Sequence, residues 1–179
     1  MFLPLVEKRR SVRKFEDKQV EPEKIDQLVE AALRAPSSRA GYPWEFVVVS
    51  DKRIVEKLSR SKANGSVFLK DAPLAIVVCA DPDKSDVWIE DTSIATIFIH
   101  LAAASLGLGS CWIQIRKRNH DDTKPAEAYI QETLNIPTRI RVESIVAVGY
   151  PGEEKPPHRK EKLLYEQVHF NAYGQKQSA

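Results

Sequence analysis

Apolar residues recur at helical spacing in four long segments of the chain. The pattern predicts helices over residues 22–35, 51–62, 91–106 and 125–134, and a short opening helix over 4–8. Pro22 stands near the first turn of the earliest long helix and Pro36 ends its pattern. Asp91 and Thr92 are predicted to open the third long helix, and Gly107 is placed to end it in a left-handed cap.

Short continuous apolar runs between these helices predict four buried strands, over residues 46–49, 74–80, 110–115 and 143–148. Helices that alternate with strands would by themselves suggest a parallel, Rossmann-like sheet. The glycine fingerprint of that fold is missing, because Trp112 stands where the third glycine after Gly107 and Gly109 should be. A nucleotide that binds tightly must therefore be held in another way.

Two segments carry more apolar side chains than their position in the sequence would require. Residues 91–106 carry apolar side chains outside one narrow stripe, which places this helix inside the domain or at a subunit interface. The tail keeps Leu163, Leu164, Tyr165, Val168, Phe170 and Tyr173 after a stretch rich in charge and proline. We expect this tail to dock, on a partner subunit if not on its own chain.

Length and charge frame the possibilities. The 179 residues are most economically one domain, and 27 basic against 25 acidic residues give a net charge of +2. Neither nucleic acid nor an acidic membrane is favoured as a partner, and no apolar stretch is long enough to span a bilayer. We expect a soluble cytoplasmic protein with Cys79 and Cys111 as buried thiols. Its histidines lack ligand spacing, so no metal is predicted, and His100 is expected in the core.

The strongest chemical signal is the basic run 9–13, Arg9-Arg10-Ser11-Val12-Arg13, with a second cluster at His158-Arg159-Lys160. Guanidinium groups offer a fork of N–H donors that matches phosphate, and serine adds a short hydroxyl donor. We interpret the two clusters as binding one anion, a phosphorylated cofactor. The alternative is a solvated charge run at the end of a short helix, as most such runs are.

Further motifs follow in an order that is informative as a whole. Residues 35–38 read Ala-Pro-Ser-Ser and precede Pro43-Trp44, and residues 71–73 read Asp-Ala-Pro before a buried strand. Residues 107–113 read Gly-Leu-Gly-Ser-Cys-Trp-Ile, and Gly149-Tyr150-Pro151 precedes the second basic cluster. With the basic run, these motifs resemble the nitroreductase family of flavin mononucleotide (FMN) oxidoreductases across residues 6–173.

The resemblance implies an α+β fold with a central mixed β-sheet flanked by helices, in an intertwined homodimer. Residues 1–179 would form a single domain, and the extension 153–179 would wrap onto the partner subunit. Two FMN molecules would lie in the shared interface, with NADH or NADPH as the electron donor. The chain is short for this family, which leaves little room for helices that cover the substrate.

The resemblance also implies a set of cofactor contacts. Arg9, Ser11 and Arg159 would hold the FMN phosphate, and Arg10 would lie beside it or beside the ribityl chain. Arg13, next to Val12 in the run, would stabilise negative charge at N1 and O2 of the reduced flavin. Trp112 and Ile113 would lie near the isoalloxazine ring, Asn64 could reach its pyrimidine, and Pro36, Ser37 and Ser38 would approach from the other subunit.

The implied reaction takes hydride from NAD(P)H onto flavin N5 and passes it to a nitroaromatic, quinone or similar acceptor by a ping-pong mechanism. The alternatives are other flavin chemistry, such as dehalogenation or flavin fragmentation, and a flavin-binding sensor without turnover. The sensor is motivated by Ala40 and Tyr42, which replace the asparagine and glutamine usual in this family. The basic stretch 116–118 could contact RNA, but the acidic pair after it favours a solvated loop.

Overall fold

The computed structural model describes residues 1–176 and contains five α-helices in that range. They are α1 (Phe2–Lys8), α2 (Pro22–Leu33), α3 (Lys52–Ser59), α4 (Trp88–Ser105) and α5 (Ala126–Leu134). Each lies where periodicity predicts a helix, and Pro22 stands at the start of α2 as its fixed φ favours. Of the single domain predicted over 1–179, residues 177–179 lie outside the described part.

Four strands form one sheet in the order β1-β2-β4-β3. They are β1 (Trp44–Val49), β2 (Leu74–Ala80), β3 (Gly109–Gln114) and β4 (Arg141–Gly149). All three strand pairs are antiparallel, so the parallel sheet that alternation alone suggests is wrong. Parallel pairing is present at one isolated bridge of the described chain, where Ser11 pairs with Ser110 at the edge of β3. The predicted α+β fold is confirmed.

Helices cover both faces of the sheet, which explains why every residue of β2 is buried. On one face β2 and β4 pack against α3 and α5, with Leu58, Ile130 and Ile145 fully covered. On the other face they pack against α2 and α4, with Leu28, Ile76 and Ile99 fully covered. Burial on this scale stabilises the fold by about 2 kcal/mol for each large aliphatic side chain.

The helix α4 begins at Trp88, one turn earlier than the Asp91-Thr92 pair predicts. The pair resembles a cap, but Thr92 Oγ1 donates back to the carbonyl of Trp88 at 2.8 Å, inside the helix. Asp91 serves other donors, the backbone N–H of Ser38 at 2.8 Å and Ser85 Oγ at 2.7 Å. At the other end Gly107 adopts φ 74°, the left-handed conformation predicted there.

Residues 157–176 of the tail extend away from the rest of the described chain. Its apolar side chains are exposed, among them Leu164 at 57% and Tyr165 at 59%. The hydrogen bonds that order residues 157–176 run within the segment itself, such as Val168 N–H to the Tyr165 carbonyl. The structure therefore leaves an apolar surface of the tail available to another molecule. None of the helices in residues 1–176 has the length and apolar character that crossing a membrane requires.

Candidate functional site

A pocket of about 230 Å³ lies where the basic run meets the end of α4 and the start of β3. Arg9 and Arg10 of the run line it together with Lys8, the last residue of α1. Gly107–Ser110 form its floor, and Glu153 and Lys155 of the early tail close one side. Cationic side chains thus converge on backbone that lacks bulky side chains, an arrangement suited to phosphate.

The floor is formed by the close approach of two backbones. Ser11 bridges Ser110, and the N–H of Val12 donates to the Ser110 carbonyl at 3.0 Å. A Cβ atom at Gly109 would lie 2.8 Å from Val12 Cβ, a separation that real Cβ atoms do not adopt. Gly109 is therefore required for the basic run to lie against β3. The Val12 side chain itself is 8% exposed, so it packs in the core and offers a ligand only its backbone.

The early tail clamps the basic run in place. Glu153 Oε1 accepts the backbone N–H of Arg13 at 2.7 Å and that of Lys14 at 3.3 Å. Lys155 Nζ donates to the Ser11 carbonyl at 2.7 Å, and Arg10 donates to the Pro156 carbonyl. The Arg13 N–H, and after it the Lys155 ammonium, lower the pKa of the Glu153 carboxyl to about 2. The Glu153 carboxylate is consequently charged at neutral pH, and its bonds to the Arg13 and Lys14 N–H groups hold the basic run in position.

His100 lies behind the pocket on α4, buried to 5% exposure, as the predicted core histidine. Its Nδ1 is 2.7 Å from Ser110 Oγ, which ties α4 to the start of β3. Burial, and next the positive charge of Arg9, lower the pKa of the imidazole to about 4. The ring is therefore neutral near pH 7. The positive charge of Arg9, which lines the pocket, thus acts on the buried His100 as well.

Arg13 lies beyond Val12 on the exposed side of the run, with its guanidinium carbon 5.8 Å from the centre of the Phe68 ring. Burial raises the pKa of the neighbouring Cys111 thiol, while the charges of Arg13 and Lys155 act in the opposite direction. Arg13 therefore lies close to β3, near Cys111, the residue that precedes Trp112. This location agrees with a cation beside a ring that lies along β3.

The next part of β3 carries two residues predicted to contact the ring. Trp112 is half-buried, and its indole N–H donates to Gln114 Oε1 at 2.9 Å. Ile113 is 1% exposed and belongs to the core beneath the sheet. A ligand along β3 could thus contact the Trp112 side chain, but only the backbone of Ile113.

The Pro36–Ser38 segment lies at the opposite end of α4 from the basic pocket. Ser38 is bound to Asp91 in the first turns of α4, whereas Ala104 at the other end lines the pocket. The rise along a helix separates these positions by roughly 20 Å. Ser37 Oγ accepts the N–H of Tyr42 at 3.0 Å, inside a loop of its own. One chain therefore does not bring this segment to its own basic pocket.

That loop departs from ordinary backbone geometry. Arg39, Ala40 and Tyr42 have φ values of 50°, 53° and 41°, a region that asparagine and glycine adopt more readily. Ala40 and Tyr42 are the two positions at which this chain lacks the amides usual in the family it resembles. The main chain therefore keeps left-handed φ values in this loop although the asparagine, which adopts them more readily, is absent.

Three further predicted contacts do not line the pocket, namely Ser11, Asn64 and Arg159. Asn64 is an exposed residue of the turn after α3. Arg159 is exposed in the tail and takes part in no ion pair with residues 1–176. Lys8 and Lys155 line the pocket although the sequence did not indicate them. Only the nearness of Lys155 to Gly149-Tyr150-Pro151 could have indicated it.

Comparisons with known proteins agree with this geometry. The model of the Nitroreductase family matches residues 6–66 and 59–150. A relative in Archaeoglobus fulgidus, named "Putative NADH dehydrogenase/NAD(P)H nitroreductase", is 41% identical over 157 residues, which cover 86% of this chain and 87% of that protein. A relative in Methanothermobacter thermautotrophicus with the same name is 33% identical over 174 residues, 96% of this chain and 87% of that protein.

A solved structure gives the same result. The structure named "FMN-dependent Nitroreductase" from Clostridium difficile superimposes with a TM-score of 0.94 at 50% identity, covering 96% of this chain and 99% of that one. The predicted nitroreductase-like fold is thereby confirmed along nearly the whole chain. On the family match and these relatives, the chain belongs to the nitroreductase family of flavin-dependent oxidoreductases.

Proposed function

We propose that this protein is an FMN-dependent oxidoreductase that takes hydride from NAD(P)H and passes it to an electron-poor acceptor, such as a nitroaromatic or a quinone. The observation that carries the proposal is the pocket where Arg9, Arg10 and Lys8 converge on the Gly107–Ser110 backbone. The solved relative from Clostridium difficile is named for FMN, and the Archaeoglobus relative for NAD(P)H.

The residues of the pocket fit the phosphate end of FMN. A dianionic phosphate needs cations and short N–H or O–H donors, and the pocket supplies both. Gly109 lets Val12 pack directly against β3, which brings the basic run to the edge of the pocket. We assign phosphate binding to Arg9 and Ser11, with Lys155 as an added cation and Arg10 beside the ribityl chain. Arg159 is assigned to the phosphate on the resemblance alone, since it does not line this pocket.

The ring end would lie along β3 towards Trp112. When bound, FMN supplies the chemistry itself, since its N5 accepts hydride from one substrate and returns the electron pair to the next. Arg13 stabilises the negative charge that reduction leaves at the pyrimidine edge of the ring. Trp112 and the Ile113 backbone position the ring, and Asn64 is assigned to the pyrimidine on the resemblance alone. The protein thus orients the flavin and stabilises its reduced form, and the reaction needs no acid–base pair of side chains.

The proposal includes a homodimer in which each site draws on both chains. The Pro36–Ser38 segment lies roughly 20 Å from the basic pocket along α4 of its own chain. A second copy is the way for both segments to contact one flavin. Exposed apolar side chains on α4, Ile94 at 37% and Ile97 at 43%, and those of the tail supply surface for the contact.

Steady-state kinetics tests the reaction. Oxidation of NADPH is followed at several concentrations of a quinone and then of a nitroaromatic. Parallel double-reciprocal lines are expected, since one site binds donor and acceptor in turn. Lines that intersect would contradict the ping-pong order, and an FMN-loaded protein that oxidises neither NADPH nor NADH would instead be a sensor.

A further inference from the structure

A second concave site, which we call the basic cleft, lies at the beginning of α4. Its volume is about 570 Å³, within the range of small-molecule sites. Trp88 and Ile89 of α4 form one wall, residues 116–119 after β3 form another, and Pro125, Glu127 and Arg141 complete it. The predicted solvated loop over 116–118 does leave Lys117 and Arg118 exposed, and the structure places it beside a cavity.

The cleft carries an excess of positive charge. Arg116, Lys117, Arg118 and Arg141 line it against the single carboxylate of Glu127. Arg141 donates to both oxygens of Glu127, at 2.8 and 2.7 Å. Burial raises the pKa of Glu127, but the bonds from Arg141 and from the Val142 N–H outweigh it and lower the pKa overall. Glu127 and Arg141 therefore neutralise each other.

The other three cations have no such partner. Within residues 1–176, Arg116, Lys117 and Arg118 form no ion pair. The acidic pair that follows them does not line the cleft, and Asp121 Oδ1 instead accepts the N–H of Thr123 and of Lys124, at 2.8 and 2.9 Å. The charge of Arg116 also acts on the carboxyls of Glu127 and Glu143, so the charge most available to an anionic ligand is that of Lys117 and Arg118.

The loop that presents these cations is held rigidly. Arg118 N–H donates to the Ile115 carbonyl at 3.0 Å in a tight turn, and the Ala126 N–H donates to the Arg118 carbonyl at 2.9 Å. Lys117, in the middle of the turn, has φ 57°, a conformation that a lysine adopts only when its surroundings impose it. These contacts fix the backbone of the loop, while the side chains of Lys117 and Arg118 remain exposed to solvent.

The cleft adjoins the segment proposed to hold the flavin ring. Gln114 Nε2 donates to the Arg116 carbonyl at 3.1 Å, and Gln114 Oε1 accepts the Trp112 indole N–H. The Arg116 guanidinium carbon lies 5.8 Å from the centre of the Trp88 ring. A molecule that reaches Trp112 can therefore extend over Gln114 into the cleft.

We infer that the basic cleft binds the phosphate groups of the nicotinamide dinucleotide that donates hydride. The inference rests on the proposed function, because it needs a donor whose nicotinamide meets the flavin beside Trp112. Phosphates are the anionic part of that donor, and guanidinium and ammonium groups are the side-chain groups that bind them. Single-stranded RNA would need a row of stacking aromatic rings, and the cleft offers Trp88 alone.

The test is a stopped-flow study of the FMN-loaded protein without oxygen, in which the flavin bleaches as donor is added. The variant Lys117→Asn/Arg118→Gln removes two charges, and asparagine tolerates the left-handed φ at 117. Arg116 is retained because it packs over Trp88. The control variant Lys52→Gln/Lys57→Gln removes two exposed charges from α3, outside the cleft.

The Kd for NADPH is expected to rise about tenfold in the cleft variant and to stay unchanged in the control. A rise with NADPH alone identifies the 2′-phosphate as the group bound, and a rise with NADH as well identifies the pyrophosphate. With 1-benzyl-1,4-dihydronicotinamide, a donor without phosphate, the cleft variant and the control should bleach alike. An unchanged Kd for both dinucleotides, or an equal loss with the phosphate-free donor, would overturn the inference.

The two failures are distinguishable. If the unmodified protein binds FMN but bleaches with neither dinucleotide, the proposed function fails, and the inference fails with it. If it bleaches normally and the cleft variant matches it, only the inference is contradicted.

Discussion

Arg9 places a positive charge in the wall of the basic pocket. It lines the cavity, and its positive charge contributes to the lowered pKa of His100. We predict that Arg9→Gln raises the Kd for FMN about tenfold or more, because a charge-assisted bond to phosphate is lost. Fluorescence titration of free FMN measures the change.

The matched control is Lys14→Gln, which removes one positive charge from the same stretch. Lys14 is exposed and does not line the pocket. Its variant should bind FMN as the unmodified protein does, apart from a small effect that salt screens. Equal weakening by both substitutions would mean that general charge, and not the pocket, governs binding.

His100 gives the fold a pH dependence whose sign follows from burial. Its pKa falls from 6.5 in the unfolded chain to about 4 in the folded chain. The unfolded chain therefore binds a proton more readily, and the stability present above pH 6.5 is lost as the pH falls towards 4. We predict that the free energy of unfolding drops by about 2 kcal/mol between about pH 7 and about pH 5 on account of this group.

Urea denaturation at the two pH values measures this drop, and His100→Asn is the comparison. Asparagine keeps a polar group near Ser110 but does not titrate, so the variant should lose clearly less stability on acidification. Identical slopes in the two proteins would show that another group causes the dependence.

Individual residues also show which parts of the site can be predicted from the sequence. The Arg-Arg-Ser-Val-Arg run indicates phosphate binding, and the structure places Arg9 and Arg10 in a pocket. Which atoms face the ligand depends on packing that no local motif encodes. Ile113 turns its side chain into the core, and Lys155 enters the pocket because Glu153 and Ser11 orient it.

The tail is the element on which the interface proposal depends most. Leu163 and Leu164 are 48% and 57% exposed in a single chain, so polar replacement costs that chain little. We predict that Leu163→Asp/Leu164→Asp weakens dimerisation at least tenfold, since each aspartate would be desolvated against the partner. Sedimentation velocity across a concentration series measures the change.

Leu33→Asp serves as the control for this experiment. Leu33 is 55% exposed at the end of α2, outside the tail. It should leave the dimer largely intact while it changes net charge in the same direction. A tail variant that dimerises as tightly as the unmodified protein would contradict the wrapped tail.

Elements were predictable where local physics decides them and not where tertiary contacts do. Helical periodicity locates the four longer helices of residues 1–176, and the buried runs locate the four strands of that range. The start of α4 was misplaced because Asp91 is used by Ser38, a partner 53 positions away. The direction of strand pairing was likewise inaccessible to alternation alone, since β2 and β4 pair across α4, β3 and α5.

For the whole molecule, the decisive feature is that the two segments proposed to contact one flavin lie at opposite ends of α4. The basic pocket lies at the end near Ala104 and the Pro36–Ser38 loop at the end near Asp91. Sequence order cannot show this separation, because it is a distance in the folded chain. The exposed apolar side chains of α4 and of the tail are explained together if two copies complete each other's sites.

The central claim is that this chain holds FMN and that NAD(P)H reduces it there. The most direct measurement is an absorbance spectrum of the purified protein mixed with FMN and desalted, then treated with NADPH and with NADH without oxygen. The account predicts that flavin bands stay with the protein, near one FMN per chain, and bleach when donor is added. Protein that retains no flavin, or flavin that stays oxidised with both donors, would contradict it.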